Sequence, residues 1–285
     1  MMERYTPPED VGLTVLLPCS ARKPYSKSKS HMEFRQHIKR GAGDRYPLVH
    51  EVIVTSPLGI VPRELEEVYP AAHYDVPVTG VWSREEREIV IALLKDYMGK
   101  TGAPVIGFGS GPYEEMYREA GVDSVAHDLH DLEGLVREGL ADVERRPLPQ
   151  RLRQIKAVCN YQFGNGASEH LLRGSPQIRG LQICDEEGRL IATMDRRAGL
   201  LALGLEGAER LRGSGRYTVE LSFKPETNSI FTVGIERADP IIRPKDEVAV
   251  LYEDEVVGVG RSLLSGVELE RAEKGLGITL RHRRG

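Results

Sequence analysis

The spacing of apolar residues changes character twice along these 285 residues, and that limits the folds open to the chain. In the first half, short apolar runs alternate with stretches of helical spacing. Leu13-Thr-Val-Leu-Leu17, stopped by Pro18, reads as a buried strand. Ser30 can N-cap a helix over His31–Lys39 that Gly41 closes. His50–Thr55 reads as a second strand, cut off at Ser56-Pro-Leu-Gly59, and Tyr74–Val78 as a third. Ser83 with Glu86 is a capping-box signature, and Ile89, Ala92, Leu93 and Tyr97 follow at helical spacing. Pro104–Phe108 is a fourth strand, Pro112–Ala120 a helix with proline in its first turn, and Val122–Ala126 a candidate fifth strand. Strands alternating with helices predict an α/β domain with a mainly parallel sheet covered on both faces.

Composition breaks at Arg145-Arg-Pro-Leu-Pro149, a linker signal. Beyond it, helices over Leu152–Phe163 and Ala167–Leu172 precede two hairpin strands, Ile178–Cys184 and Arg189–Met194, split by Asp185-Glu-Glu-Gly188. This small α+β unit ends at Gly213-Ser-Gly215. From Arg216 the alternation is of period two, in Tyr217–Leu221, Ile230–Thr232, Val248–Tyr252, Val256-Val257 and Gly277–Leu280. Turns separate these runs at the interval of a small β-barrel. Three domains are expected, 1–147, 148–213 and 214–285.

The net charge of −4 argues against a generally sticky nucleic-acid surface, but the charge is unevenly spread. Residues 1–150 carry a net of −6 and residues 151–285 a net of +2, while Arg22–Arg45 holds eight basic residues against Glu33 and Asp44. That segment reads as a localised polyanion site or as a solvated helix face. Runs such as Val11–Leu17 are too short to cross a bilayer, and MMERYTPPED lacks an apolar signal core, so a cytoplasmic protein is expected. Cys19, Cys159 and Cys184 stand at no metal-ligand spacing. His127-Asp-Leu-His130-Asp131 has the look of a metal pair, but without an evident third ligand it reads rather as a solvated helix start. Gly107, Gly109 and Gly111 miss the dinucleotide fingerprint, because Pro112 stands where the third glycine belongs. Neither a metal nor a cofactor is expected.

In open parallel sheets ligands bind beyond the carboxyl ends of the strands, and four loops rich in hydroxyls, glycines and cations are predicted there. The first is Pro18-Cys-Ser-Ala-Arg-Lys-Pro-Tyr-Ser-Lys-Ser-Lys-Ser-His31. The others are Thr55–Arg63, with Ser56, Gly59 and Arg63; Val78–Trp82, with Gly80; and Gly107–Pro112, with Gly109 and Ser110. Arg22, Lys23, Lys27 and Lys29, with the hydroxyls of Ser20, Ser26 and Ser28, can hold a phosphate or carboxylate by charge-assisted hydrogen bonds. Tyr25 can stack on a base or donate a hydrogen bond. Cys19 reads as a buried small side chain or, beside Arg22 and Lys23, as a nucleophile. Trp82 suits either a site wall or the core.

Pro18–Ser26 with its continuation to His31 resembles the signature of the archaeosine synthase core domain, found in archaeal tRNA-modifying enzymes related to tRNA-guanine transglycosylase. Ser56–Leu65 and Tyr74–Gly80 are similar to the same domain. Ala238–Val248, Gly258–Gly266 and Lys274–Arg281 resemble a PUA domain, a small RNA-binding barrel, and the segment between resembles the pre-PUA domain of these enzymes. The resemblance implies a core similar in fold to uracil-DNA glycosylase. It also implies a reaction in which lysine adds to the nitrile of a cyano-deazaguanine base in tRNA, after which a radical enzyme cleaves the adduct.

Amine attack on a nitrile needs a general base and a donor for the developing nitrogen anion. Under the resemblance His31 is the candidate base, Arg22, Lys23 and Tyr25 are candidate donors, Ser20 belongs to the same catalytic loop, and Cys19 is a candidate for a covalent thioimidate. Arg243, Lys245, Arg261, Lys274 and Arg281 are the candidate RNA contacts, against a reading as solvated surface charges. Full-length members carry a transglycosylase-like barrel ahead of this core, whereas this chain starts close to the first core strand. A short form is therefore expected, with tRNA and free lysine as partners, or a subunit beside a chain that carries the barrel or the radical chemistry. The rival expectation is a non-catalytic tRNA-binding accessory; base excision rests on fold analogy alone.

Overall fold

The computed structural model describes residues 5–74 and 80–284. The chain divides into two compact units, 1–161 and 162–285. The first runs β1 (Leu13–Pro18), α1 (Lys29–Ala42), β2 (Val49–Thr55), β3 (Gly59–Pro62), α2 (Arg84–Thr101), β4 (Val105–Phe108), α3 (Pro112–Ala120), β5 (Ser124–Ala126) and α4 (Leu129–Gly139). Its sheet has the order β3-β2-β1-β4-β5, parallel throughout except for β3. Alternation along β1 divides the core. Leu13, Val15 and Leu17 pack with Ile38 and Ala42 of α1 and with Leu132 and Val136 of α4. Thr14 turns the other way, where its hydroxyl meets that of Tyr97 in α2 at 3.0 Å. All of β1 but Pro18 is buried, as befits a strand covered on both faces.

Helix α1 begins before the expected Ser30 cap, because Ser28 is the cap and its hydroxyl accepts from the His31 amide at 3.2 Å. Gly41 does not end the helix. A Cβ there would lie 2.4 Å from the Glu133 carbonyl oxygen, so this glycine lets the α4 backbone approach α1, and Gly43 makes the end. Gly59–Pro62, expected in a loop, folds back as β3 on β2, with Thr55 opposite Gly59. Helix α4 grows from the helix start read at His127–Asp131, and its extent to Gly139 is not among the expected elements. Asp128 caps it, accepting from the His130 and Asp131 amides at 2.8 and 2.9 Å, so His127–Asp131 is a helix start. The strand expected over Tyr74–Val78 lies, from Asp75 on, outside the described residues.

Helix α5 (Gln150–Phe163) spans the point of division and is followed by α6 (Ala167–Leu171). An antiparallel sheet of β6 (Gln177–Arg179), β7 (Gln182–Cys184), β8 (Leu190–Met194) and β9 (Leu201–Leu203) comes next, then α7 (Leu205–Arg212). The single strand expected over Ile178–Cys184 is a hairpin, with Gly180 at a φ of 61° between its arms. Neither β9 nor α7 has a counterpart among the expected elements. The period-two runs fall on β10 (Thr218–Leu221), β11 (Ser229–Phe231), β13 (Glu247–Tyr252), β14 (Glu255–Ser262) and β15 (Leu276–Arg283), while β12 (Ile235–Ala238) and α8 (Gly266–Arg271) have no counterpart among the expected elements. These six strands form one sheet in the order β11-β15-β14-β13-β10-β12. Among the described residues no helix is long and apolar enough to cross a membrane.

Filling the close approach of α1 and α4 tests this packing. Gly41→Ala is expected to destabilise the protein by about 1–3 kcal/mol, read as a lower urea midpoint, and an unchanged midpoint contradicts the contact.

Candidate active site at the carboxyl end of strand β1

From β1 the chain goes to β2 on one side, and it returns later to β4 on the other. The loops leaving β1 and β4 therefore diverge and open a crevice between the two strand ends, the place where open α/β sheets bind ligands. Cys19 is the first residue beyond β1, its amide bonded to the Val54 carbonyl at 3.1 Å. Tyr113, in the first turn of α3, brings its hydroxyl to 3.7 Å from the Cys19 Sγ. Gly109 makes room for this. It has a φ of 140°, and a Cβ there would lie 3.1 Å from that of Tyr113. The ring of Trp82 stands nearly perpendicular to Tyr113, with centroids 5.5 Å apart, and so walls the crevice.

The opposite wall is also phenolic. Residues Tyr25–Lys27 form a 3-10 turn that buries Tyr25. The Tyr25 hydroxyl is hydrogen-bonded to that of Tyr74, which also bonds the Thr55 hydroxyl. Lys23 Nζ lies 3.9 Å from the centre of the Tyr74 ring. Burial raises the pKa of Tyr25, Tyr74 and Tyr113, so all three stay protonated near neutrality and serve as hydrogen-bond donors.

Behind the Tyr25 turn one guanidinium organises the loop. Arg63 donates to Glu51 at 2.6 and 2.9 Å, to Glu66 at 2.8 Å and to His31 Nδ1 at 2.8 Å. The same Glu66 oxygen accepts from the Ser26 amide at 2.9 Å, so Arg63 holds the turn through Glu66 and the start of α1 through His31. His31 is fully buried. Burial first, and the Arg63 charge second, push its pKa down to about 3, so the ring is neutral. Burial alone would raise the Glu51 carboxyl, but Arg63 and Arg35 hold it down at about 2. A cavity of about 600 Å³ flanks this part of β2, lined by Arg35, Glu51, Arg63, Glu64, Glu66 and Arg153 among others. Several of its charges are paired within the protein, as in Arg63 with Glu51 and Arg153 with Asp10, each at 2.6 Å.

The structure thus brings Cys19, Lys23 and Tyr25 to one crevice and joins Arg63 to His31 beneath it. Other predicted residues are differently employed. Ser28 caps α1, Ser56 donates to Glu86 of the α2 capping box, and Gly59 lies where a Cβ would come within 2.4 Å of Leu93. The Ser20 hydroxyl donates to the Arg22 carbonyl at 3.1 Å. Arg22, Gly80 and Ser110 are exposed, and Ser26 is half-buried. Among the proposed RNA contacts, Arg261 and Arg281 converge on the buried Glu247 at 3.1 and 3.0 Å. Arg281 also bonds the Leu203 carbonyl at 2.9 Å, while Arg243, Lys245 and Lys274 are exposed. Among the described residues no cluster of histidine, cysteine and carboxylate side chains suits a metal. Sequence reasoning missed Tyr113, Glu51 and Glu66 as site residues. Tyr113 had a readable signal, a first-turn position directly after a glycine loop at a strand end.

Residues 1–132 match the family model of a domain of unknown function, DUF5591. Residues 153–217 match the patch-forming domain C2 of tRNA-guanine transglycosylase, and residues 225–283 the PUA domain. The archaeosine synthase subunit alpha of Methanosarcina acetivorans is 39% identical over 99% of this chain, which covers 48% of that relative. That of Thermococcus kodakarensis is 35% identical over 99% of the chain, covering 52% of the relative. The chain therefore spans about half the length of these curated relatives. Among solved structures, AF0587, a protein of unknown function, superposes with a TM-score of 0.73 at 28% identity, over 100% of this chain and 97% of that one.

His31 and Glu51 both take up protons less readily folded than unfolded, so each stabilises the fold above its unfolded pKa and loses that effect in acid. The loss runs from pH 6.5 toward about 3 for His31 and from 4.5 toward about 2 for Glu51. His31→Gln is expected to flatten the curve of urea midpoint against pH between about 3 and 6.5. An unchanged slope there contradicts the buried, neutral imidazole.

Proposed function

From a chain homologous to the archaeosine synthases along nearly its whole length, we infer a tRNA-modification protein of archaeosine formation. Its PUA domain binds tRNA, and the crevice beside β1 adds lysine to the nitrile of a cyano-deazaguanine base. The domains divide near residues 147 and 213. The observation that carries the catalytic reading is Cys19 at the switch point of the sheet, ringed by phenols that remain protonated. Its Sγ attacks the nitrile carbon, giving a thioimidate as the thiol proton passes to nitrogen. The lysine amine then adds to the same carbon and the thiol leaves, so the product is an amidine-linked lysine and Cys19 is regenerated. Lys23 supplies a cation on one wall, which Tyr25 and Tyr74 fix by donating along their own chain toward Thr55. His31, buried and neutral against Arg63, holds the loop and takes no part in proton transfer. The adduct is the substrate of a separate radical enzyme.

The accessory reading draws on the exposure of Arg22, Lys27 and Lys29, which suits phosphate contacts without chemistry. Purified protein, cyano-deazaguanine tRNA and labelled lysine distinguish the two. Under catalysis, label enters the tRNA, and Cys19→Ala cuts the rate about 10³-fold or more while tRNA affinity is nearly unchanged. Tight tRNA binding without label transfer establishes the accessory reading instead. In that case each loop cation removed lowers affinity and the salt slope by about one phosphate contact.

A further inference from the structure

We propose that Tyr113 is a catalytic residue, the phenol that carries the Cys19 proton to the nitrile nitrogen. The inference rests on the covalent reading and goes beyond it, because addition of a thiol to a nitrile has two halves. A sulfur–carbon bond forms and the carbon–nitrogen triple bond becomes a double bond, which leaves charge on nitrogen unless a proton arrives. The proton lost by sulfur is the proton needed there, and a group touching both atoms can move it. Tyr113 gives its hydroxyl proton to nitrogen and takes the thiol proton in return. No oxidant, reductant or further reactant enters.

Three observations select this phenol. Its hydroxyl is hydrogen-bonded to the Cys19 Sγ at 3.7 Å, whereas the hydroxyls of Tyr25 and Tyr74 are bonded to each other. Its position is built by the fold. Pro112 starts α3 at once after the β4 loop, and Gly109 leaves the space in which the Tyr113 side chain turns toward β1. Its ring is held between Trp82 and Tyr117, at centroid distances of 5.5 and 6.3 Å, so the hydroxyl is aimed and not free to swing. Burial, with the neighbouring Cys19 second, keeps it protonated until needed.

The test uses a small heteroaromatic nitrile, 2-cyanopyrimidine, against iodoacetamide, with both adducts on Cys19 followed by intact mass. Nitrile addition needs a proton delivered to the probe, and alkylation does not. Tyr113→Phe is expected to slow nitrile addition about 10²-fold while alkylation changes less than about threefold. Gly109→Ala, which displaces the ring but keeps the hydroxyl, shifts the ratio of the two rates in the same direction. Tyr252→Phe, a phenol at the end of β13 and outside this crevice, leaves it unchanged. If both probes slow together in Tyr113→Phe and Gly109→Ala, or neither does, the proton-carrying role is overturned. If wild-type Cys19 alkylates readily but never adds the nitrile, the covalent reading fails and takes this proposal with it.

Discussion

Strand β1 has parallel partners on both edges and helices on both faces, so its only open direction is forward, past Pro18. Its two neighbours are reached from opposite sides, and no crossover covers that end. Whatever stands at residue 19 therefore faces a crevice whose walls come from sequence-distant loops: the Tyr25 turn and Tyr74 on one side, Trp82 and Tyr113 on the other. The reactivity assigned to Cys19 follows from this placement more than from its immediate sequence neighbours. Arg22, in the same loop, is exposed.

A loop that leaves a rigid strand is useful for chemistry only if something fixes it. Here the burial of Arg63 and Glu51, costly for either alone, is offset because each satisfies the other and both engage further partners. The network reaches Ser26 through Glu66 and α1 through His31. Removing one member of such a buried pair typically costs about 3–5 kcal/mol, because the remaining charge is stranded. His31 is better understood as part of this scaffold. An imidazole whose Nδ1 faces a guanidinium at 2.8 Å has little basicity to offer.

Much of this was legible in the sequence. The β1 run, the Ser83–Glu86 capping box, Pro112 at a helix start and the period-two strands after residue 216 report local chemistry, and local chemistry survives folding. The loop from Cys19 to His31 was likewise recognisable from its cations and hydroxyls. What escaped depends on distance. Gly41 looks like a terminator until α4 is seen to press on it, and no local signal joins Arg261 and Arg281 to Glu247. Glu51 sits in the middle of an apolar strand, and beside the nearby Tyr46 its charged partners come from α1 and from the turn after β3. Tyr113 and Cys19 are far apart in the chain, and only the sheet order joins them.

The central claim is that Cys19 bonds covalently to the base before lysine arrives. The most direct measurement mixes protein with cyano-deazaguanine tRNA in the absence of lysine, denatures the mixture, digests it and identifies any peptide left on the nucleotide. A thioimidate account predicts the Cys19 peptide attached to the modified base, and its release as lysine adduct when lysine is added before denaturation. Lysine product formed with full yield from a reaction in which no peptide is ever attached, or one attached through another residue, contradicts it.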